Sequence, residues 1–126
     1  MTMDQNAEGV VDAVVVYDGR VLLVNARDRW TLPSGDPEPA ESASATAARA
    51  VYELTGYLVD GSTPLPPRGA DSASARTAVV CQLLSETPSG DAQLEADQVR
   101  WLSLAEAVDA GLSETVRVYL EGHTPV

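Results

Sequence analysis

Two runs of β-prone residues, Val10 to Val16 and Val21 to Val24, are separated only by Tyr17-Asp18-Gly19-Arg20. No other feature limits the fold as tightly. Asp and Gly tolerate the positive φ angles of a tight turn, so the runs read as a hairpin, with Val15-Val16-Tyr17 paired against Val21-Leu22-Leu23. Asn25 to Gly35 then reads as a loop.

The clearest helix spans Pro39 to Thr55. It is rich in alanine, the best helix former, and Gly56 supplies a C-terminal stop. Ala40, Ala43, Ala47, Val51 and Leu54 fall on one stripe of a 3.6-residue period, and Glu41 near the start favours the positive end of the helix dipole. Tyr57 to Val59 reads as a short strand. Asp60 to Ser74, with Pro64, Pro66, Pro67 and Gly69, reads as a loop long enough to be functional or mobile. Thr77 to Ser85 is continuous enough for a central strand, and Cys81 within it reads as a buried, inert thiol. Val99 to Leu102 is a further strand, with Trp101 a core residue. Ser103 and Glu106 form a capping box for a helix through about Asp109, and Ser113 starts a last helix through about Leu120. Strands, a helix, strands and helices in that order give a mixed α/β arrangement rather than a βαβ repeat.

The chain has 126 residues, the size of one domain, with 1–8 and 122–126 read as flexible termini. Nineteen acidic residues against eight arginines give a net charge of -11. That field repels phosphate polymers and anionic membranes, so neither nucleic acid nor a membrane is the expected partner. A small anionic ligand held by a few local arginines remains compatible with it. With one cysteine, no signal-peptide pattern and no run long enough to span a bilayer, the expected location is cytoplasmic.

Chemistry concentrates between Leu32 and Tyr57. A glycine loop, Leu32-Pro33-Ser34-Gly35, leads into a helix carrying carboxylates and an arginine. Here the sequence resembles the Nudix family. Gly35, Glu41, Arg49, Val51, Glu53, Gly56 and Tyr57 fall at the positions of its box without a gap, Tyr57 loosely. Trp30-Thr31-Leu32-Pro33 resembles the segment before the box. Glu38-Pro39-Ala40-Glu41-Ser42 resembles its Glu-Pro-Gly-Glu-Ser/Thr run, with Ala40 in place of glycine. Glu95 to Ala107 resembles the tail that follows. The resemblance implies an α/β/α sandwich with a mixed sheet, and a Mg²⁺- or Mn²⁺-dependent hydrolase of a nucleoside diphosphate linked to another group. Dimers are common in that family.

The departures bear on function. Of the three glutamates in the family's Arg-Glu-any-any-Glu-Glu run, the first is Ala50 and the third Leu54; only Glu53 remains. Magnesium needs a near-octahedral set of hard oxygens, and metal-assisted hydrolysis needs an oriented water. Ala and Leu supply no oxygen. Burial of Leu54 in the stripe would add about 1.5–3 kcal/mol to the fold.

The candidate residues carry paired readings. Glu53 is a metal ligand or an ion-pair partner of Arg49, four residues before it. Glu41 supports catalysis or serves the helix dipole. Gly35 offers its carbonyl to a metal or permits a backbone bend. Glu95, six before Trp101, completes the metal site or lies solvated in an acidic segment. Arg49 organises the box. Arg27 and Arg29 grip phosphate or stand solvated, and Trp30 stacks on a base or packs in the core. Two functions follow: a hydrolase weakened at its box, or a Nudix-fold ligand-binding or regulatory module without hydrolysis. An enzyme repurposed for a biosynthetic reaction is a variant of the first.

Overall fold

The computed structural model describes residues 10–26, 29–65, 77–85, 88–90, 92–108, 112 and 114–122. The expected flexible ends, with the exception of Gly122, and Arg27 lie outside them.

Strand β1 (Val11–Tyr17) and β2 (Arg20–Ala26) form the expected hairpin. Val16 pairs with Val21 and Tyr17 with Arg20, while Asp18 and Gly19 take φ of 54° and 72°. Both turn residues are left-handed, which matches the twist of the strands they join. Two short strands occupy the stretch read as a loop: β3 (Arg29–Thr31) pairs with β2, and β4 (Ser34–Gly35) pairs with the start of β1. Pro33 between them accepts a bond from the Ala13 amide at 2.8 Å, so the segment is tied to the central strand.

Helix α1 (Ala43–Thr55) begins four residues later than expected. Ala40 adopts φ of 66°, a left-handed conformation that no helix can include, and Ser42 is the N-cap, accepting from the Ala45 amide at 3.1 Å. Ala40 is therefore off the apolar stripe, and Glu41 lies before the helix rather than in its first turn. The buried stripe is Thr46, Ala47, Ala50, Val51 and Thr55; Leu54 is half-buried, so its contribution falls short of full burial. Gly56 ends the helix in the left-handed conformation at φ 83°.

Strand β5 (Val59–Leu65) takes up the first part of the stretch expected as a long loop, and begins where a short strand was expected to end. It pairs antiparallel with β6 (Thr77–Leu83), which runs parallel to β1 and is central as expected. Strand β7 (Val99–Ser103) pairs with β2. The strands form one mixed sheet in the order β3-β2-β1-β6-β5, with β4 on β1 and β7 on β2. Helix α2 (Leu104–Val108) starts at the Ser103–Glu106 capping box, and α3 (Glu114–Glu121) follows.

Alternation along β1 builds two cores. Val11, Ala13 and Val15 pack with Ala47 and Val51 of α1, whereas Val14 packs with Leu104, Ala107, Val116 and Leu120 of α2 and α3. The result is an α/β/α sandwich with α1 on one face of the mixed sheet. Cys81 is buried against α1, and burial pushes its thiol up to about 12. No helix among the described residues is long and apolar enough to cross a membrane.

Candidate functional site

The turn before α1 and the helix itself are locked by one ion-pair network. Glu41 Oε1 accepts from the Glu38 amide (2.9 Å), the Thr46 hydroxyl (2.8 Å) and Arg49 Nη2 (2.9 Å), and its Oε2 accepts from Arg49 Nε (2.9 Å). The two-toothed arginine contact is the main reason the Glu41 carboxyl is lowered to about 2. The same contact holds the Arg49 guanidinium more firmly charged. Arg49 Nη2 also donates to the Asp36 carbonyl at 2.7 Å, and Nη1 to Glu53 Oε1 at 3.2 Å. Three box residues thus meet around one guanidinium. Glu41 and Arg49 keep only 14% and 26% of their side-chain exposure, while Glu53 keeps 45% and faces water.

Gly35 lies on extended backbone, so no bend demands a glycine there. Space does: a Cβ at Gly35 would stand 3.1 Å from the Ala50 methyl. Ala50 is 2% exposed, and the position where the family carries its first box glutamate is filled by this contact between helix and strand.

Residues 88–90 and 92–94 dock on the end of α1. Ser89 donates to the Gly56 carbonyl (2.9 Å), Gln93 to Glu53 (2.9 Å) and Leu94 to Leu54 (3.2 Å), all through backbone amides. These bonds satisfy carbonyls that a helix end leaves open, and they set Glu95 in register with the box helix. Gly56 makes the approach possible, since a Cβ there would meet the Ser89 carbonyl oxygen at 2.7 Å. Between this segment, α1 and β7 lies a cavity of about 420 Å³, lined among others by Tyr57, Ser89, Glu95, Arg100 and Trp101. That volume falls within the ~300–1,000 Å³ usual for small-molecule sites. Trp101, half-buried, packs against the α1-side core as expected and also forms part of this wall; its indole N–H donates to the Tyr57 hydroxyl at 3.2 Å.

Trp30 is half-buried in β3, packed on the α2–α3 side, and the Arg100 guanidinium stacks 4.3 Å above its ring centre. Arg29, next to it, is exposed and has no ion-pair partner among the described residues. Sequence reasoning missed Arg100 and the 88–90 wall. Arg100 is set opposite Leu23 by the β2–β7 register, and only that pairing brings it over Trp30.

The carboxylates do not fit a magnesium ion by themselves. Ala50 and Leu54 present hydrocarbon, Glu41 is fully engaged by four hydrogen bonds, and Glu53 is paired with Arg49. Among the described residues no three His, Cys, Asp or Glu side chains converge as a metal site. The oxygens left at matching positions, the Gly35 carbonyl, Glu53 and Glu95, fall short of the set that magnesium demands.

The family model for the NUDIX domain matches residues 8–121. The chain belongs to the NUDIX family. Its fold is shared by a NUDIX hydrolase from Nitrosomonas europaea, at TM-score 0.66 and 21% identity over 90% of this chain and 84% of that one. An ADP-ribose pyrophosphatase from Streptococcus suis matches at TM-score 0.64 and 20% identity, over 92% and 91%. The NUDIX domain of Shewanella oneidensis NrtR, solved with ADP ribose, matches at 0.59 and 22%, over 90% and 84%.

Proposed function

We propose that this chain is a single NUDIX domain that takes a nucleoside diphosphate linked to another group in the cavity beside α1, and that its pyrophosphate hydrolysis is weak. One observation carries the reading. The edge of α1 that should present clustered carboxylates presents the Ala50 methyl against Gly35, half-buried Leu54, and a Glu53 tied to Arg49. The cavity offers the Tyr57 and Trp101 rings and Arg100 to base and phosphate; Arg29 and Trp30 are not in its lining, Trp30 packing on the α2–α3 side, so a grip on phosphate by Arg29, or by Arg27 two residues before it in the sequence, would come from beyond the cavity wall. The fold's relatives act on or hold ligands of this class by name, an ADP-ribose pyrophosphatase and a domain complexed with ADP ribose among them.

A second reading is favoured by the pairing of both Glu41 and Glu53 with Arg49, which engages the carboxylates a metal would need: a binding or regulatory module that holds such a ligand and does not hydrolyse it.

Calorimetric Mg²⁺ titration and product release over a panel of nucleoside diphosphate conjugates test both. Wild type should bind Mg²⁺ poorly and turn over far below the usual enzyme range of about 1–10³ s⁻¹. Leu54→Glu, at a half-buried position that can accept the side chain, should raise Mg²⁺ affinity. Turnover within the usual range by the wild type would overturn weak hydrolysis. Ligand binding with no turnover selects the module, and no binding of any conjugate overturns both readings.

A further inference from the structure

Among the described residues, Glu95 is the only carboxylate in the lining of the cavity beside α1, and its side chain has no hydrogen-bond or ion-pair partner. Its backbone, by contrast, is held from both sides. Just before it, the Leu94 amide donates to the Leu54 carbonyl of α1 at 3.2 Å. Just after it, Ala96–Gln98 form a single 3-10 turn, closed by the Gln98 amide on the Glu95 carbonyl at 2.9 Å.

The Gln98 side chain completes the hold. Its Oε1 accepts from the Glu95 amide at 2.9 Å, and its Nε2 donates to the Asn25 carbonyl of β2 at 3.3 Å. Strand register explains the reach. The β2–β7 ladder ends at Val24 and Val99, and Asn25 and Gln98 are the next residues along the two chains. The clasp needs an acceptor and a donor on one side-chain group. A carboxylate only accepts and an ammonium or guanidinium only donates, so the amide of Gln98 is the chemistry that fits.

We propose that Gln98 is a positioning residue of this cavity, which clasps Glu95 to β2 and so presents the Glu95 carboxylate to the bound conjugate. A carboxylate offers only acceptors, so it meets hydroxyl or amino hydrogens of the ligand, not its phosphate oxygens. Holding the backbone beforehand removes ordering entropy that binding would otherwise cost. The proposal rests on the ligand reading above.

The test is calorimetry with ADP ribose as the probe, on the wild type, Glu95→Gln, Gln98→Met and the double variant, with amide hydrogen exchange recorded on each. Glu95→Gln should lose affinity about tenfold, the value of one hydrogen bond to a charged group. Gln98→Met keeps the side-chain length and neither bond. It should lose about fivefold or more in the wild-type background and less than about twofold when Glu95 is already Gln, because the two act through one contact. It should speed exchange of the Glu95 amide and leave the Leu94 amide protected. An equal loss from Gln98→Met in both backgrounds, undiminished affinity in Glu95→Gln, or faster Leu94 exchange would overturn the positioning role while leaving the ligand reading intact. Absence of any conjugate binding by the wild type would overturn the ligand reading and this proposal with it.

Discussion

Arg49→Met removes the hub of the box network and leaves most of its side-chain volume. The guanidinium makes a two-bonded contact with Glu41, a bond to the Asp36 carbonyl and a longer bond to Glu53. A hydrogen bond to a charged group is worth about 1.5–3 kcal/mol, and an exposed i,i+4 pair only some tenths. Glu41 retains 14% of its exposure, so water replaces part of what the arginine gave. Taking the Glu41 contact at the low end and adding the two lesser ones gives about 2 kcal/mol. At roughly 4 °C per kcal/mol for a chain of this length, the melting temperature should fall by about 8 °C. The loss carries a pH signature. Arg49 is the largest of the groups that lower the Glu41 carboxyl from 4.5 to about 2, the Glu38 amide and Thr46 hydroxyl adding less. A carboxyl depressed in the folded state contributes its stability above the ordinary value, and that contribution is lost as pH falls from 4.5 through about 2. The gap between wild type and variant should therefore be full near neutral pH and shrink across that window. Urea unfolding at a series of pH values measures it. A gap below about 0.5 kcal/mol at neutral pH, or one unchanged down to the acid end of the window, would refute the assignment of Arg49 as a structural bracket.

Other substitutions read the same helix. Ala40→Gly relieves a left-handed alanine at φ 66° and should stabilise by about 0.5–1 kcal/mol in urea unfolding, after the extra entropy of glycine in the unfolded chain is deducted. Gly56→Ala meets both a φ of 83° and the Ser89 carbonyl oxygen, so it should cost about 2 kcal/mol or more and speed exchange of the Ser89 amide hydrogen; unchanged exchange would show that Ser89 docks without it. Cys81 is 2% exposed with its thiol pushed up to about 12, so a disulfide reagent at mildly alkaline pH should label it only after unfolding.

The resemblance of residues 30–57 and 95–107 to the Nudix pattern carried the fold class, and the capping box and the hairpin were legible residue by residue. The helix start was not. Ala40 favours a helix by composition, and only its place in a turn, where the family pattern has glycine, marks it as left-handed. The edge strands β3 and β4 were read as loop because three and two residues carry no period to detect. Glu41 was legible as a box position but not as the acceptor of four hydrogen bonds, since its partners come from Glu38, Thr46 and Arg49 together.

By itself the sequence determined the hairpin, the box helix with its glycine stop, and the replacement of two box carboxylates by Ala50 and Leu54, because each of these is a local property of residue type and spacing. Tertiary structure decided what the surviving groups do. It placed Ala50 against Gly35, tied Glu53 and Glu41 to one arginine, and stacked Arg100 on Trp30 across β2. Those outcomes depend on strand register and helix docking, which bring together side chains far apart in the chain, and no local pattern encodes them.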